Sequence, residues 1–342
     1  MNKVVTGSKE IIHRAIRFKS PERIGWDFLS PHPSDFCGVG PKNPQPGSGW
    51  GKGPELLALV PGFIGDVWKD EFGNIWGRLD GLSKGEVIRG ALEDGWVRVD
   101  DYQLPDFYTA PRSYRHLYNS SNEVYQNRFV LGGLPGFPFS IMRKLRRMEN
   151  FLMDTLLAKP EVLELSRRVE DMLTGMIEIY GNLGFVDGVV FAEDWGTQNA
   201  LLISPESWRE LFKPAFRRLA ECAHRNNLLV LMHSCGYIYD IIPDLIEVGV
   251  DALQLDQPEL MGVERLGKNF GGQIAFWCPV DIQKIMQSGD RKLIEESAVK
   301  MIDCFGRFGG GFIAKDYPQW DAIGVRSEWA DWARQVFTDQ AG

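Results

Sequence analysis

Residues 228–256 read LLVLMHSCGYIYDIIPDLIEVGVDALQLD, and the fold is decided there. The opening run LLVLM (228–232) is apolar and too short for a helix, YIYDIIPDLIEVG (237–249) carries helical spacing, and DALQLD (251–256) is again short and apolar. Strand, helix and strand in that order form a βαβ unit, which requires a parallel sheet.

The same alternation runs on both sides of this stretch. Upstream, a helical period through Val162, Leu165, Val169, Met172, Leu173 and Met176 leads to DGVVFAED (187–194), and Ser204 with Pro205 opens a helix carrying Trp208, Leu211, Phe212, Phe216 and Leu219 on its inner face. Downstream, a short helix through Leu266 leads to QIAFWC (273–278), and a helix over 291–306 leads to GFIAKD (311–316). Five successive strands therefore end in polar residues: Glu193 and Asp194, His233, Asp256, Cys278, then Lys315 and Asp316. An open doubly wound sheet also fits the alternation, but polar strand ends shared by every strand favour a (β/α)8 TIM-type barrel, whose active site is built on that rim.

The N-terminal part is less regular. Ser8 can cap a helix, SKEIIHRAIRF, with Ile11, Ile12, Ala15 and Ile16 on one face, and RIGWDFL (23–29) reads as a first strand. Residues 31–54 are rich in Gly and Pro and read as irregular, 66–110 as short hairpins and loops, and VYQNRFVLGGLPG (124–136) as a second strand. The expected organisation is one barrel domain over 1–342, with 30–120 as a loop- and hairpin-rich elaboration.

At 342 residues with 44% apolar and 25% charged content, the chain has the composition of a globular protein. A net charge of -8 with no basic block beyond RKLRR (143–147), read as a solvated helix end, argues against nucleic-acid binding. With no long apolar run and no signal-peptide pattern at the start, no membrane association and a cytoplasmic location are expected. Five cysteines do not suggest a disulfide framework; Cys222 and Cys304 fall in helical patterns and Cys37 in an irregular one, whereas Cys235 and Cys278 sit at strand ends.

His233 and Cys235 are two apart on an extended backbone, so both side chains point the same way, and both are first-choice Zn2+ ligands. Cys278, at a strand end two βα units later, is the expected third ligand. HxC alone fits a core histidine beside a buried cysteine equally well, and Cys278 tips the reading to metal. Asp256 could be a fourth ligand, an acceptor behind His233, a general acid or base, or a helix cap. Glu193 and Asp194 are adjacent, so at most one faces the pocket; Asp194 is favoured as substrate-orienting, with a loop-bracing pair as the alternative. Trp195, Tyr237, Trp277 and Trp320 could wall an apolar pocket, and Lys315 could meet a charged group of the substrate or pair with Asp316.

From about residue 150 to the end, and more loosely in the opening helix and DEFGNIWGR (70–78), the chain resembles the uroporphyrinogen decarboxylase superfamily. HSCG (233–236) followed by a later Cys, together with EDWGTQNALLISPESWRELFKP (193–214), is similar to its zinc methyltransferase branch. Authentic decarboxylases carry an early arginine-rich motif resembling RQAGRY and a late one resembling GHGI; here those places read GWDFLSPHPSD (25–35) and GGGFIAKD (309–316). The resemblance implies a methyltransferase that uses Zn2+ to move a methyl group from a small methylated substrate, such as an O-methyl aromatic, to a corrinoid carried by a separate partner protein. Asp256 and Asp194 would be its catalytic residues, Glu193, Trp195, Tyr237, Trp277 and Lys315 would contact substrate, and a homodimer is compatible with the family. The alternatives are a metal-free decarboxylase on the same barrel and a non-catalytic barrel that binds zinc or a small ligand.

Overall fold

A computed structural model describes residues 7–43, 49–81, 83–96, 99–118 and 123–339. Its strands are β1 (Gly25–Asp27), β2 (Phe36–Val39), β3 (Asp66–Lys69), β4 (Ile75–Arg78), β5 (Glu86–Arg89), β6 (Phe129–Gly133), β7 (Gly188–Ala192), β8 (Leu229–His233), β9 (Ala252–Gln254), β10 (Ala275–Cys278) and β11 (Phe312–Lys315). Eight of them pair in the order β1-β11-β10-β9-β8-β7-β6-β2, and every ladder is parallel. The result is a nearly closed barrel with helices outside, as the βα alternation predicts.

The two end strands meet through backbone and side-chain hydrogen bonds. The Asp35 N–H donates to the Trp26 carbonyl and the Trp26 N–H to the Asp35 carboxylate, both at 2.8 Å, while Arg23 grips the same carboxylate at 2.7 and 2.8 Å. A short antiparallel bridge, Asp27 to Ser34, adds to this seam.

Side chains alternate across the wall. Phe129, Leu131, Leu229, Leu231, Trp277 and Ile313 fill the interior, whereas Val189, Phe191, Val230, Met232, Phe276 and Cys278 belong to the larger cluster under the helices. The helix Ser8–Ile16 plugs the lower end: Ile12, Ala15 and Ile16 join the interior cluster, and His13 and Lys9 reach Asp187 at 3.0 and 2.8 Å. Its N-cap is Gly7 rather than Ser8, and no side chain caps it.

Three further expectations change. The stretch expected to be irregular contains β2, the eighth barrel strand, which glycine and proline on both sides hide. Of 124–136 only Phe129–Gly133 is strand, because Glu123–Asn127 forms a helical turn. The helix after Ser204 is two helices, Pro205–Leu211 and Lys213–Arg225, since Pro214 has no N–H to continue the first. Ser204 does cap the former, accepting from the Ser207 N–H at 3.1 Å. The segment 66–110 does hold a three-stranded antiparallel sheet, β3-β4-β5. Among the described residues, no helix is long and apolar enough to cross a membrane.

Candidate metal centre

The chain leaves β7 and β8 in two loops that lock together. The Gly196 N–H donates to the Cys235 carbonyl (3.3 Å), the Tyr237 N–H to the Thr197 carbonyl (2.7 Å) and the Trp195 N–H to the Ser234 hydroxyl (3.0 Å). Such backbone proximity demands glycine on each side: a Cβ on Gly196 would lie 2.4 Å from the Tyr237 nitrogen, and one on Gly236, at φ +78°, 2.3 Å from the Gly196 carbonyl oxygen. Between them, Asp194 is held at φ +49°, a left-handed conformation that a non-glycine residue keeps only when its surroundings impose it.

Those surroundings are the site. Asp194 Oδ1 accepts from the Cys235 N–H at 3.1 Å and lies 3.3 Å from His233 Nε2; Cys235 Sγ is also 3.3 Å from that nitrogen; and Arg143 Nη2 holds Asp194 Oδ2 at 3.2 Å. Potential ligand atoms of Asp194, His233 and Cys235 all fall within 4.8 Å of one another. Burial would raise the Asp194 carboxyl, but His233, the Cys235 N–H and Arg143 hold it well below the usual carboxylate range. Burial likewise opposes charge on His233, yet Asp194 and Cys235 outweigh it and push the imidazole up to about 10. Zinc bonds of 2.0–2.3 Å at tetrahedral angles place neighbouring ligand atoms about 3.3–3.6 Å apart, and the two distances to His233 Nε2 are both 3.3 Å. The donor set therefore fits zinc, with Asp194 placed where a third ligand could bind.

The structure does not bring Cys278 to this cluster, which corrects the expected ligand set. His233 is level with Gln254, and Gln254 with Trp277, so at this height the inward residue of β10 is Trp277. Cys278 faces the helices, wholly buried, and burial pushes its thiol up.

Other expected residues divide in the same way. Glu193 points outward: its Oε1 accepts from the backbone N–H groups of Phe137 (2.8 Å) and Ser140 (3.1 Å), anchoring the helix Pro138–Arg146, and burial raises its carboxyl to about 8. Trp195 is also outside, fully buried with its ring 3.7 Å from that of Phe139, so it walls no pocket. Trp277 lies inside, stacked on Phe36 at 5.0 Å, and makes a floor below the rim. Tyr237 is half-buried at the rim beside Tyr239, and Trp320 is buried 5.7 Å from Tyr317. Asp256 caps no helix; its Oδ1 accepts from Gln254 at 2.7 Å and meets Lys315 Nζ at 3.5 Å, in a buried pair. Lys315 and Asp316 do not pair, because they face opposite sides of β11 and Asp316 is held by Arg334 at 2.8 Å.

Sequence reasoning missed the run RKLRR, which is not a solvated helix end. Arg146 is buried against Asp154 at 2.8 Å, Arg143 grips Asp194, and Lys144 and Arg147 line a cavity of about 580 Å³ between this helix, β4–β5 and the barrel rim. Buried apolar residues before and within it, Ile141, Met142 and Leu145, signal that the run lies on a packed helix. Lys84, in the loop between β4 and β5, sits 5.5 Å over the ring of Tyr317, so that loop reaches the rim.

Residues 96–315, more than half of the chain, match the family described as uroporphyrinogen decarboxylase (URO-D). No curated protein matches the sequence. Among solved structures, the chain is similar to a methyltransferase from Methanosarcina mazei, with a TM-score of 0.66 and 12% identity over 98% of this chain and 99% of that one; this likeness carries the fold. An L-ribulose 3-epimerase aligns at a TM-score of 0.41 and 12% identity, covering 67% of this chain and 78% of that one. A D-psicose 3-epimerase does so at 0.39 and 9%, covering 66% and 84%.

Proposed function

The chain belongs to the uroporphyrinogen decarboxylase family, and on that premise we propose that it is a zinc-dependent methyltransferase. It takes a methyl group from a small methylated substrate, an O-methyl aromatic in the preferred reading, and passes it to the cobalt of a corrinoid carried by a separate protein. The observation that carries this reading is the convergence of Asp194, His233 and Cys235 at the open rim of the barrel. That the similar Methanosarcina mazei protein is a methyltransferase supports it.

Asp194, His233 and Cys235 would hold the zinc, which when bound supplies a Lewis acid for the departing oxygen. The chain's other residues organise the exchange. Arg143 fixes the orientation of Asp194 through its second oxygen, and Glu193 fixes the helix that carries Arg143. The methyl carbon leaves without its bonding electrons, the pair stays on oxygen, and that oxygen then takes up a proton. Asp256, held between Gln254 and Lys315, manages this proton. The corrinoid protein docks over the strand-end rim, where the substrate's methyl group is presented.

The test is methyl transfer from a methoxylated aromatic to free cob(I)alamin, followed by the change in cobalt absorbance, with and without zinc. The expected result is turnover that vanishes on zinc removal and in Cys235→Ser. Full turnover without metal, or demethylation with no corrinoid present, overturns the reading.

A further inference from the structure

The cavity of about 580 Å³ has a composition the metal cluster does not require. It is of the size that holds a small organic ligand. Its walls are apolar at Trp76, Val87, Leu134 and Met148, and four cations, Lys84, Arg143, Lys144 and Arg147, line it against Glu86, Glu149 and Asp194. Ala192 and Asp194 line it as well, so it adjoins the candidate metal cluster: Ala192 is level with His233 on the neighbouring strand, and Asp194 belongs to both.

Three of the cations have partners. Arg143 holds Asp194 at 3.2 Å, Arg147 donates to the Ile88 carbonyl at 2.5 Å and lies 3.8 Å from Glu149, and exposed Lys84 sits over Tyr317. Lys144 differs. Among the described residues no carboxylate lies within salt-bridge distance of its ammonium, which sits 5.7 Å from the centre of the Trp76 ring. Burial and the neighbouring Arg143 push its pKa down and outweigh the opposing pull of Asp70, Glu193 and Asp194, none of which is in contact with it. A half-buried cation with no carboxylate in contact is unfavourable, and an incoming anion relieves it.

We propose that this cavity binds the carboxylate end of the substrate on Lys144, with Arg147 and Lys84 nearby, so that the methyl donor is a methylated aromatic acid. Its flat body lies against Trp76 and Met148, and its methylated end reaches Asp194 and the metal cluster. This rests on the methyl-transfer reading only for the fate of the methyl group; the recognition of an acid stands on the cavity itself.

The experiment is calorimetric binding of 4-methoxybenzoate and of its neutral counterpart 4-methoxybenzamide to the zinc-loaded full chain, to Lys144→Met and to Lys144→Arg. A carboxylate on a buried ammonium is expected to gain about ten-fold or more in affinity over the amide. Lys144→Met should bring the acid down to the level of the amide without changing amide binding, which also shows that the variant is folded, and Lys144→Arg should restore preference for the acid. Equal affinity of acid and amide in the wild type, an undiminished acid preference in Lys144→Met, or no binding of either probe overturns the inference. The two readings fail separately. Lys144-dependent acid binding without transfer to cob(I)alamin leaves this inference standing and removes methyl transfer; turnover of the neutral amide as fast as the acid does the reverse.

Discussion

The ends of β8 and β10 carry the same chemistry and deliver it to opposite sides of one wall. Each strand is an apolar run that closes on cysteine or histidine, and each is buried. On β8, Leu229, Leu231 and His233 face inward, and Cys235 follows His233 to the same cluster. On β10 the inward residues are Ala275 and Trp277, which leaves Cys278 among the helices. Parity along the strand, and not residue type, decides which thiol can reach a metal.

The largest effect should come from breaking the inner thiol. Cys235→Ser is expected to weaken zinc binding by about 100-fold or more, read by competition with a chromogenic chelator, because a first-choice ligand is lost. Cys278→Ser should leave zinc binding unchanged and instead lower stability by about 1–3 kcal/mol in urea unfolding, as a hydroxyl replaces a thiol in a fully buried site within the helix-side core. Loss of zinc in both variants would erase the distinction between the two strand ends.

The next effect concerns the interlocked loops that follow β7 and β8. Gly236→Ala sets a Cβ 2.3 Å from the Gly196 carbonyl oxygen at positive φ, so a destabilisation of about 2–4 kcal/mol is expected together with weakened zinc binding. An alanine variant that melts and binds zinc like the wild type would mean the two loops do not support each other. Arg143→Met removes the guanidinium from Asp194 while keeping the helix, and zinc affinity should fall by about 10-fold, as for other residues that orient a ligand.

The smallest effect belongs to a His–carboxylate pair at the lower end of the barrel. His224 Nε2 lies 2.9 Å from Asp251, and that hydrogen bond raises its pKa against the opposing burial. A raised folded pKa gives stability that is complete below the ordinary imidazole value and is lost as pH rises through the folded one. The pair is partly exposed, so about 0.5 kcal/mol is expected. The melting temperature of His224→Asn should fall short of wild type at pH 5.5 and match it at pH 9, with zinc binding unaffected throughout.

Much of the fold was legible because βα units announce themselves by length and period, as in 228–256. β2 was not, since its four residues sit among glycines and prolines. His233 and Cys235 were found by spacing alone. Cys278 was misplaced because a strand buried on both faces shows no polar alternation, and FWC reads the same in either parity. Asp194 was expected near the substrate, but its place beside His233 depends on φ +49°, which an aspartate in sequence does not declare. The cations of 143–147 looked like surface because a charged run usually is; here the small β3-β4-β5 sheet comes over them to enclose the cavity.

If Cys235 alone reaches the metal, zinc would meet one sulfur and not two, and X-ray absorption at the zinc edge of the loaded wild-type chain counts sulfurs directly. The account predicts a single sulfur at about 2.3 Å with the remaining ligands nitrogen or oxygen near 2.0 Å, and an unchanged spectrum in Cys278→Ser. Two sulfurs in the wild type, one of them lost in Cys278→Ser, would contradict it and return Cys278 to the metal.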